Sequence, residues 1–189
     1  MTRAFLTVAL LAAMAFVSCS APSTPKLRRN PPPARETPRY ESKATRTSPA
    51  ATFNGRVLSV VDGDSIVVFD NAQRSYEIRL QGIDAPEGGQ AFGDRSRQNL
   101  SDLIGEKEVT VTWYKRDRYG RIVGEVSING LDICLEQIRA GMAWHYKYYQ
   151  SEQTPEDRAF YADAETEARA SRRGLWTDAS PIPPWVFRR

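Results

Sequence analysis

A small α+β domain, a five-stranded β-barrel with three helices, is the architecture the sequence predicts for residues 53 to 177. Three observations predict it. Short runs rich in β-branched and aromatic residues recur five times between turn dipeptides. One helical stretch interrupts them after the third run, and two more follow the fifth. A chain of 189 residues suffices for one ordinary core with extra material, and is too short for two cores with long connections.

The first run, residues 53 to 61, meets Asp62-Gly63-Asp64 and continues into Ser65-Ile66-Val67-Val68-Phe69, the pattern of a β-hairpin. Asn71-Ala72-Gln73 turns the chain into Tyr76-Glu77-Ile78-Arg79-Leu80. There the period of two places Glu77 and Arg79 on one face, and Ile78 and Leu80 on the other. Residues 91 to 104 carry helix formers with an apolar stripe through Phe92, Leu100, Leu103 and Ile104, ahead of a terminating Gly105.

Val109-Thr110-Val111-Thr112-Trp113 predicts the fourth strand, and residues 122 to 128 the fifth, closed by Asn129-Gly130. Residues 131 to 140 predict a short helix before Gly141. A last helix is predicted from Pro155, suited to a first helical turn, to Arg173, with Gly174 as its C-cap and Leu175-Trp176 packing back. Five strands with a helix between the third and fourth is the element order of an OB-fold barrel.

The segments outside this domain differ in composition. Residues 1 to 19 begin with Met1-Thr2-Arg3 and an apolar run too short to span a bilayer, the form of an export signal. The run ends in Phe16-Val17-Ser18-Cys19, similar to a bacterial lipobox. Cys19 is then the expected mature N-terminus and the site of lipidation, with plain secretion after Ala15 or Ser18 as the alternative. Export to the cell envelope or medium is common to both.

Residues 20 to 52 hold seven of the twelve prolines among Ser, Thr and Arg, and read as a flexible linker. Residues 178 to 189 are a C-terminal tail. Of the two cysteines, Cys134 lies in an apolar run and is expected as a buried small hydrophobe.

The net charge of +3 hides an uneven distribution. Residues 1 to 52 carry eight basic and two acidic side chains, whereas residues 53 to 189 carry 18 and 21. The folded part is therefore acidic overall, which excludes nucleic-acid binding by bulk charge alone. Any grip on phosphate must come from particular arginines or a metal ion.

Three clusters put charge on turns and strand ends where a core asks for none: Asp62-Gly63-Asp64, Arg79 with Asp84-Ala85-Pro86-Glu87, and Asp117-Arg118-Tyr119-Gly120-Arg121. Each alone fits an ordinary turn. In this order and spacing, joined by Gly141-Met142-Ala143-Trp144 and Arg173-Gly174-Leu175-Trp176, they resemble the staphylococcal nuclease-like (thermonuclease) family over nearly all of residues 53 to 176.

The resemblance implies an OB-fold enzyme, a calcium-dependent endonuclease that hydrolyses DNA and RNA with water as nucleophile and leaves 3′-phosphate ends. By that resemblance Asp64, Asp84 and the carbonyl of Ala85 hold one Ca²⁺, an oxygen donor set suited to a hard cation. Glu87 activates water, and Arg79 and Arg121 grip the phosphate through planar guanidinium groups. Arg118 and Tyr119 line the substrate, and Tyr146, Tyr148 and Tyr149 fall where the family places a base-stacking tyrosine, with Tyr149 the choice, an aromatic face being able to stack on any base.

Ala85 stands where many relatives have threonine, and the only histidine, His145, matches no catalytic position. The expected partners are DNA and RNA, with the membrane reached only through a lipid on Cys19; the protein is expected to be a monomer. The rival reading is a binding module that keeps the barrel without catalysis. Such a module is expected to lack Arg79, Glu87 or Arg121, and all three are present.

Overall fold

The structure, a computed structural model, describes residues 51–189. The predicted export signal, Cys19 and nearly all of the predicted linker lie outside the described residues. β1 (Ala51–Asp62), β2 (Ser65–Asp70) and β3 (Ser75–Leu80) form the expected meander, with β1 starting two residues earlier than predicted. After β4 (Ile83–Asp84) come α1 (Gly93–Ile104), β5 (Glu108–Arg116) and β6 (Ile122–Ile128).

Antiparallel pairing runs β3–β2–β1–β5–β6, and a parallel pairing of β3 with β6 (Ile78 beside Ile122, Leu80 beside Gly124) closes the five-stranded barrel. The fold is the α+β OB-type barrel that the element order predicted. Its interior is filled by one side of each strand, including Ile66, Val68, Ile78, Leu80, Ile122 and Val126, all at or near full burial. Burying such side chains contributes about 1.5–3 kcal/mol each. The same alternation turns Arg79 outward, to the cleft described below.

The predicted helix boundaries shift, each for a local reason. The helix predicted for residues 131 to 140 is α2 (Ile133–Arg139), because Asn129 and Gly130 adopt positive φ and fold β7 (Leu131–Asp132) back on β6. Asp132 then caps α2 by accepting the Leu135 N–H at 3.1 Å. α1 starts at Gly93 rather than 91, after a left-handed Phe92.

After β8 (Trp144–His145) and a 3₁₀ segment (Lys147–Glu152), α3 (Pro155–Ala170) opens as predicted, with Pro155 in its first turn and Thr154 as cap. It ends at Ala170 rather than Arg173, since Arg172 takes a positive φ. Gly174 therefore does not cap the helix. It opens a 3₁₀ turn (Gly174–Thr177), where an added Cβ would lie 2.2 Å from the Gly141 carbonyl oxygen. Leu175 and Trp176 pack back against Trp144 and Ala168 as expected. Cys134 is fully buried, as expected, which pushes its thiol pKa well up.

Two long-range ties place the chemistry. Gln137 of α2, fully buried, donates to the Gly63 carbonyl at 2.6 Å and to the Ser96 carbonyl at 3.2 Å, fixing the Asp62–Asp64 turn. A Cβ on Gly63 would sit 1.8 Å from the Ser96 hydroxyl, so only glycine fits this close approach. On the other side β4 pairs with β8, Ile83 with His145 and Asp84 with Trp144.

His145 is buried and packs edge-on against Tyr161. One ring nitrogen, Nε2, lies 2.8 Å from Gln153 Oε1, while the His145 N–H donates to Glu165. Burial lowers its pKa, partly opposed by Gln153 and Glu165. The unfolded chain then binds a proton that the folded chain refuses, so this contribution is intact above about pH 6.5 and is lost as pH falls below it. Thermal unfolding of wild type and His145→Gln between pH 8 and 5 checks the sign. The stability advantage of wild type should shrink on acidification, and an advantage that grows would refute it.

Candidate active site

The Asp62-Gly63-Asp64 turn joins β1 to β2, and the Asp62 carboxylate accepts the Asp64 N–H at 3.0 Å, which shapes the turn. Asp64 thereby points back over β3, where its backbone carbonyl accepts the Leu80 N–H at 2.8 Å. Its Oδ2 accepts the Ala85 N–H at 2.6 Å, and its Oδ1 accepts the Ser65 hydroxyl at 3.1 Å. Asp84, fully buried, stands beside it at the end of β4.

One guanidinium joins the two acids. Arg79 reaches Asp64 Oδ2 at 3.0 Å through Nη1 and donates to Asp84 Oδ1 at 2.8 Å through Nη2, while Nη1 also meets the Leu80 and Ile83 carbonyls. Even so, burial pushes the Asp64 carboxyl up to about 7; Arg79 opposes the shift and Asp62 and Asp84 add to it. Loss of hydration, more than the neighbouring acids, sets the direction.

The donor set is all oxygen, and the cationic forks laid across it show where positive charge is favoured. It fits a hard divalent cation, with Asp64 and Asp84 as carboxylate ligands and the buried Ala85 close by to add its carbonyl. Among the described residues no three acidic, histidine or cysteine side chains converge on one point, so backbone and water would complete the shell.

These residues form one end of an open cleft of about 670 Å³, lined among others by Asp64, Arg79, Glu87, Arg118, Tyr119, Arg121 and Tyr149. Every side chain predicted for catalysis or substrate contact therefore lines one cavity, with Asp84 and Ala85 buried at its edge. Arg121 sits after the β5–β6 turn and donates through Nε to Asp117 Oδ2 at 2.8 Å. Burial raises the Asp117 carboxyl, but hydrogen bonds from Arg121 and from the Tyr119 and Arg121 N–H groups outweigh it and hold the pKa down.

Tyr119 projects into solvent with the Arg118 and Arg121 guanidinium carbons 4.8 and 5.7 Å from its ring centre. Tyr149 is half exposed, in edge contact with Tyr146, and Lys115 Nζ lies 5.0 Å from its ring centre. Both tyrosines present free aromatic area to the cavity.

Two residues of this cavity, Lys115 and Arg188, escaped sequence reasoning, and Tyr146 belongs to the tyrosine run from which Tyr149 is taken. Lys115 belongs to β5, which runs three residues beyond the predicted strand, and pairs with Glu152 at 2.5 Å. Tyr146 follows β8 and stacks on Trp185 at 5.5 Å. Arg188, in the segment predicted as a tail, pairs with Asp84 at 2.8 Å and with Glu87. No motif marked it, and a pair separated by 104 residues leaves no local signal.

Comparison with known proteins bears on the family. A family model described as staphylococcal nuclease homologue matches residues 77–178. An uncharacterized endonuclease of Escherichia coli is 42% identical over 139 residues, covering 73% of this chain and 86% of the relative. A micrococcal nuclease of Shigella flexneri is 45% identical over 148 residues, covering 74% and 82%. A probable staphylococcal-like nuclease of rice is 37% identical over 156 residues, 82% of this chain but 39% of that longer protein. With its closed OB-type barrel and its acid and arginine clusters gathered in one cleft, the chain belongs to the staphylococcal nuclease family and is a nuclease, a hydrolase of phosphodiester bonds.

Proposed function

We propose that the protein is a calcium-dependent endonuclease that cleaves both DNA and RNA and leaves 3′-phosphate ends. The observation that carries the reading is the convergence of Asp64, Asp84, Arg79, Glu87 and Arg121 on one open cleft. Asp64 and Asp84 would hold the ion, with the Ala85 carbonyl as third protein ligand. Ca²⁺ bound there supplies a Lewis acid for water and for a phosphoryl oxygen.

The chain's own groups do the rest. Glu87, one-third exposed, reaches solvent in the cleft and takes a proton from the water that attacks phosphorus. The new P–O bond forms as the bond to the 5′ oxygen breaks. Arg121 neutralises charge on the phosphoryl group and on the departing oxygen, a task its permanently charged fork suits. Arg79, already spread over two carboxylates and two carbonyls, holds the ligands in register and faces the phosphate from the same edge.

Tyr119 and Tyr149 offer stacking faces, and Arg118 and Lys115 attract the backbone without reading sequence. Neither contact calls on the 2′ position of the sugar, which supports a loose preference between DNA and RNA. We further propose that the enzyme acts as a monomer outside the cytoplasm, exported and anchored by lipid on Cys19. Mass spectrometry of the membrane fraction should show an acylated Cys19, and a soluble mature chain lacking that residue would refute the anchor.

Turnover on DNA and RNA should require free Ca²⁺ at up to about millimolar concentration, and excess chelator should abolish it. Glu87→Gln should lower turnover by about two to four orders of magnitude while nucleotide affinity is kept, the usual contribution of a positioned base. Cleavage undiminished in chelator would contradict the metal assignment. Binding without cleavage by the wild-type protein would favour a non-catalytic binding module instead.

A further inference from the structure

We propose that Arg188 is a positioning residue of the active site, and that residues 181–189 belong to the catalytic apparatus as the strap that delivers it. The inference rests on the nuclease reading of the cleft. It concerns residues that lie beyond the stretch matched by the family model, which ends at 178.

Arg188 follows α4 (Pro184–Phe187), a single turn whose first residue is buried. Its fork meets Asp84 with two hydrogen bonds, Nη2 to Oδ2 at 2.8 Å and Nη1 to Oδ1 at 3.1 Å, and Nη1 also donates to Glu87 Oε1. These bonds raise the guanidinium pKa still further, so the group stays charged at every working pH. One cation thus couples the assigned base to an assigned metal ligand.

Glu87 needs such a partner. Its backbone is held by Gln90 on both sides, but Gly88 and Gly89 after it face open space, where an added Cβ would meet nothing within 4 Å, so the grip on its side chain must come from elsewhere. Its carboxylate shares Arg188 Nη1 with Asp84, and two carboxylates held this way repel each other unless the cation lies between them. The strap also takes hold of the loop a second time. Gln90, whose side-chain oxygen accepts the Glu87 N–H at 3.0 Å, donates to the Ile182 carbonyl at 2.6 Å.

Aromatic packing anchors the strap. Trp185 stacks on Tyr146 at 5.5 Å and meets Trp144 edge-on at 6.1 Å, and Trp144 is the β8 partner of Asp84. The same tryptophan therefore secures the segment to the strand pair that carries the metal ligand.

Arg188 can remain during turnover because the carboxylates still outnumber the guanidiniums on them: Asp64, Asp84 and Glu87 are shared by Arg79 and Arg188. Removing Arg188 leaves Glu87 with no guanidinium between it and Asp84. The expected fault is a wandering Glu87 rather than an empty metal site, and displacement of a reacting group by about 1 Å can cost on the order of 100-fold in rate.

Arg188→Ala, Arg188→Lys and Trp185→Ala are compared with wild type on a single-stranded oligonucleotide at saturating Ca²⁺. We expect kcat to fall about 10- to 100-fold in Arg188→Ala and Trp185→Ala with KM within about threefold, and Arg188→Lys to lie between. Added guanidinium ion should restore part of the Arg188→Ala rate and leave wild type unaffected. Terbium luminescence in the absence of nucleic acid should show cation affinity equal to or tighter than wild type. Unchanged kcat in Arg188→Ala overturns the proposal alone. So does a higher rate at low Ca²⁺ with no loss at saturation, the behaviour of a side chain that merely competes with the ion. Wild type without turnover removes the nuclease reading and this inference together.

Discussion

A single guanidinium, that of Arg79, holds together two carboxylates that reach it from separate turns of the chain. It lies 3.0 Å from Asp64 and 2.8 Å from Asp84, both of them buried. Removing two acids from water costs several kcal/mol each, and a cation between them offsets the cost only when geometry and further hydrogen bonds are good. Here the Ala85 N–H and the Ser65 hydroxyl satisfy Asp64, and Arg188 completes Asp84. Burial still outweighs Arg79 and raises the Asp64 carboxyl, so a divalent cation placed beside it would stabilise the ionised acid further.

The barrel exists to bring these acids within reach of one fork. Asp64 ends the first hairpin turn, which Gln137 grips from α2; Arg79 lies opposite Ser65 in β3; Asp84 ends β4 and is fixed by its pairing with Trp144 in β8. Alternation along β3 does double duty. Ile78 and Leu80 fill the core, and the residue between them is thereby placed in the cleft. Loss of core packing at either position would carry Arg79 away from both carboxylates.

Much of this was legible in the sequence because it rests on local rules. The alternation in residues 76 to 80, the turn residues at 62 to 64 and Pro155 at the head of the last long helix each specify geometry within a few residues. The illegible parts depend on contacts between distant segments. Two-residue strands such as β4 and β8 have no period to detect, and Asn129-Gly130 starts a hairpin where a helix was expected. Arg172 ends α3 early through a positive φ that its residue type does not announce. Arg188 gave no signal because its segment reads as a proline-punctuated tail, and its function comes from where Trp185 anchors it.

Charged groups and aromatic faces share the cleft, with Arg118 and Arg121 flanking Tyr119 and Lys115 beside Tyr149. An acidic domain can thus hold a polyanion through local cations, without a basic surface. The account turns on whether the Arg79-bridged carboxylates bind a divalent cation. Calorimetric titration of Ca²⁺ into the purified protein, without nucleic acid, tests this most directly. Wild type should bind one ion and Asp84→Asn none, with both chains folded by circular dichroism; equal binding by the two, or none by wild type, would contradict it.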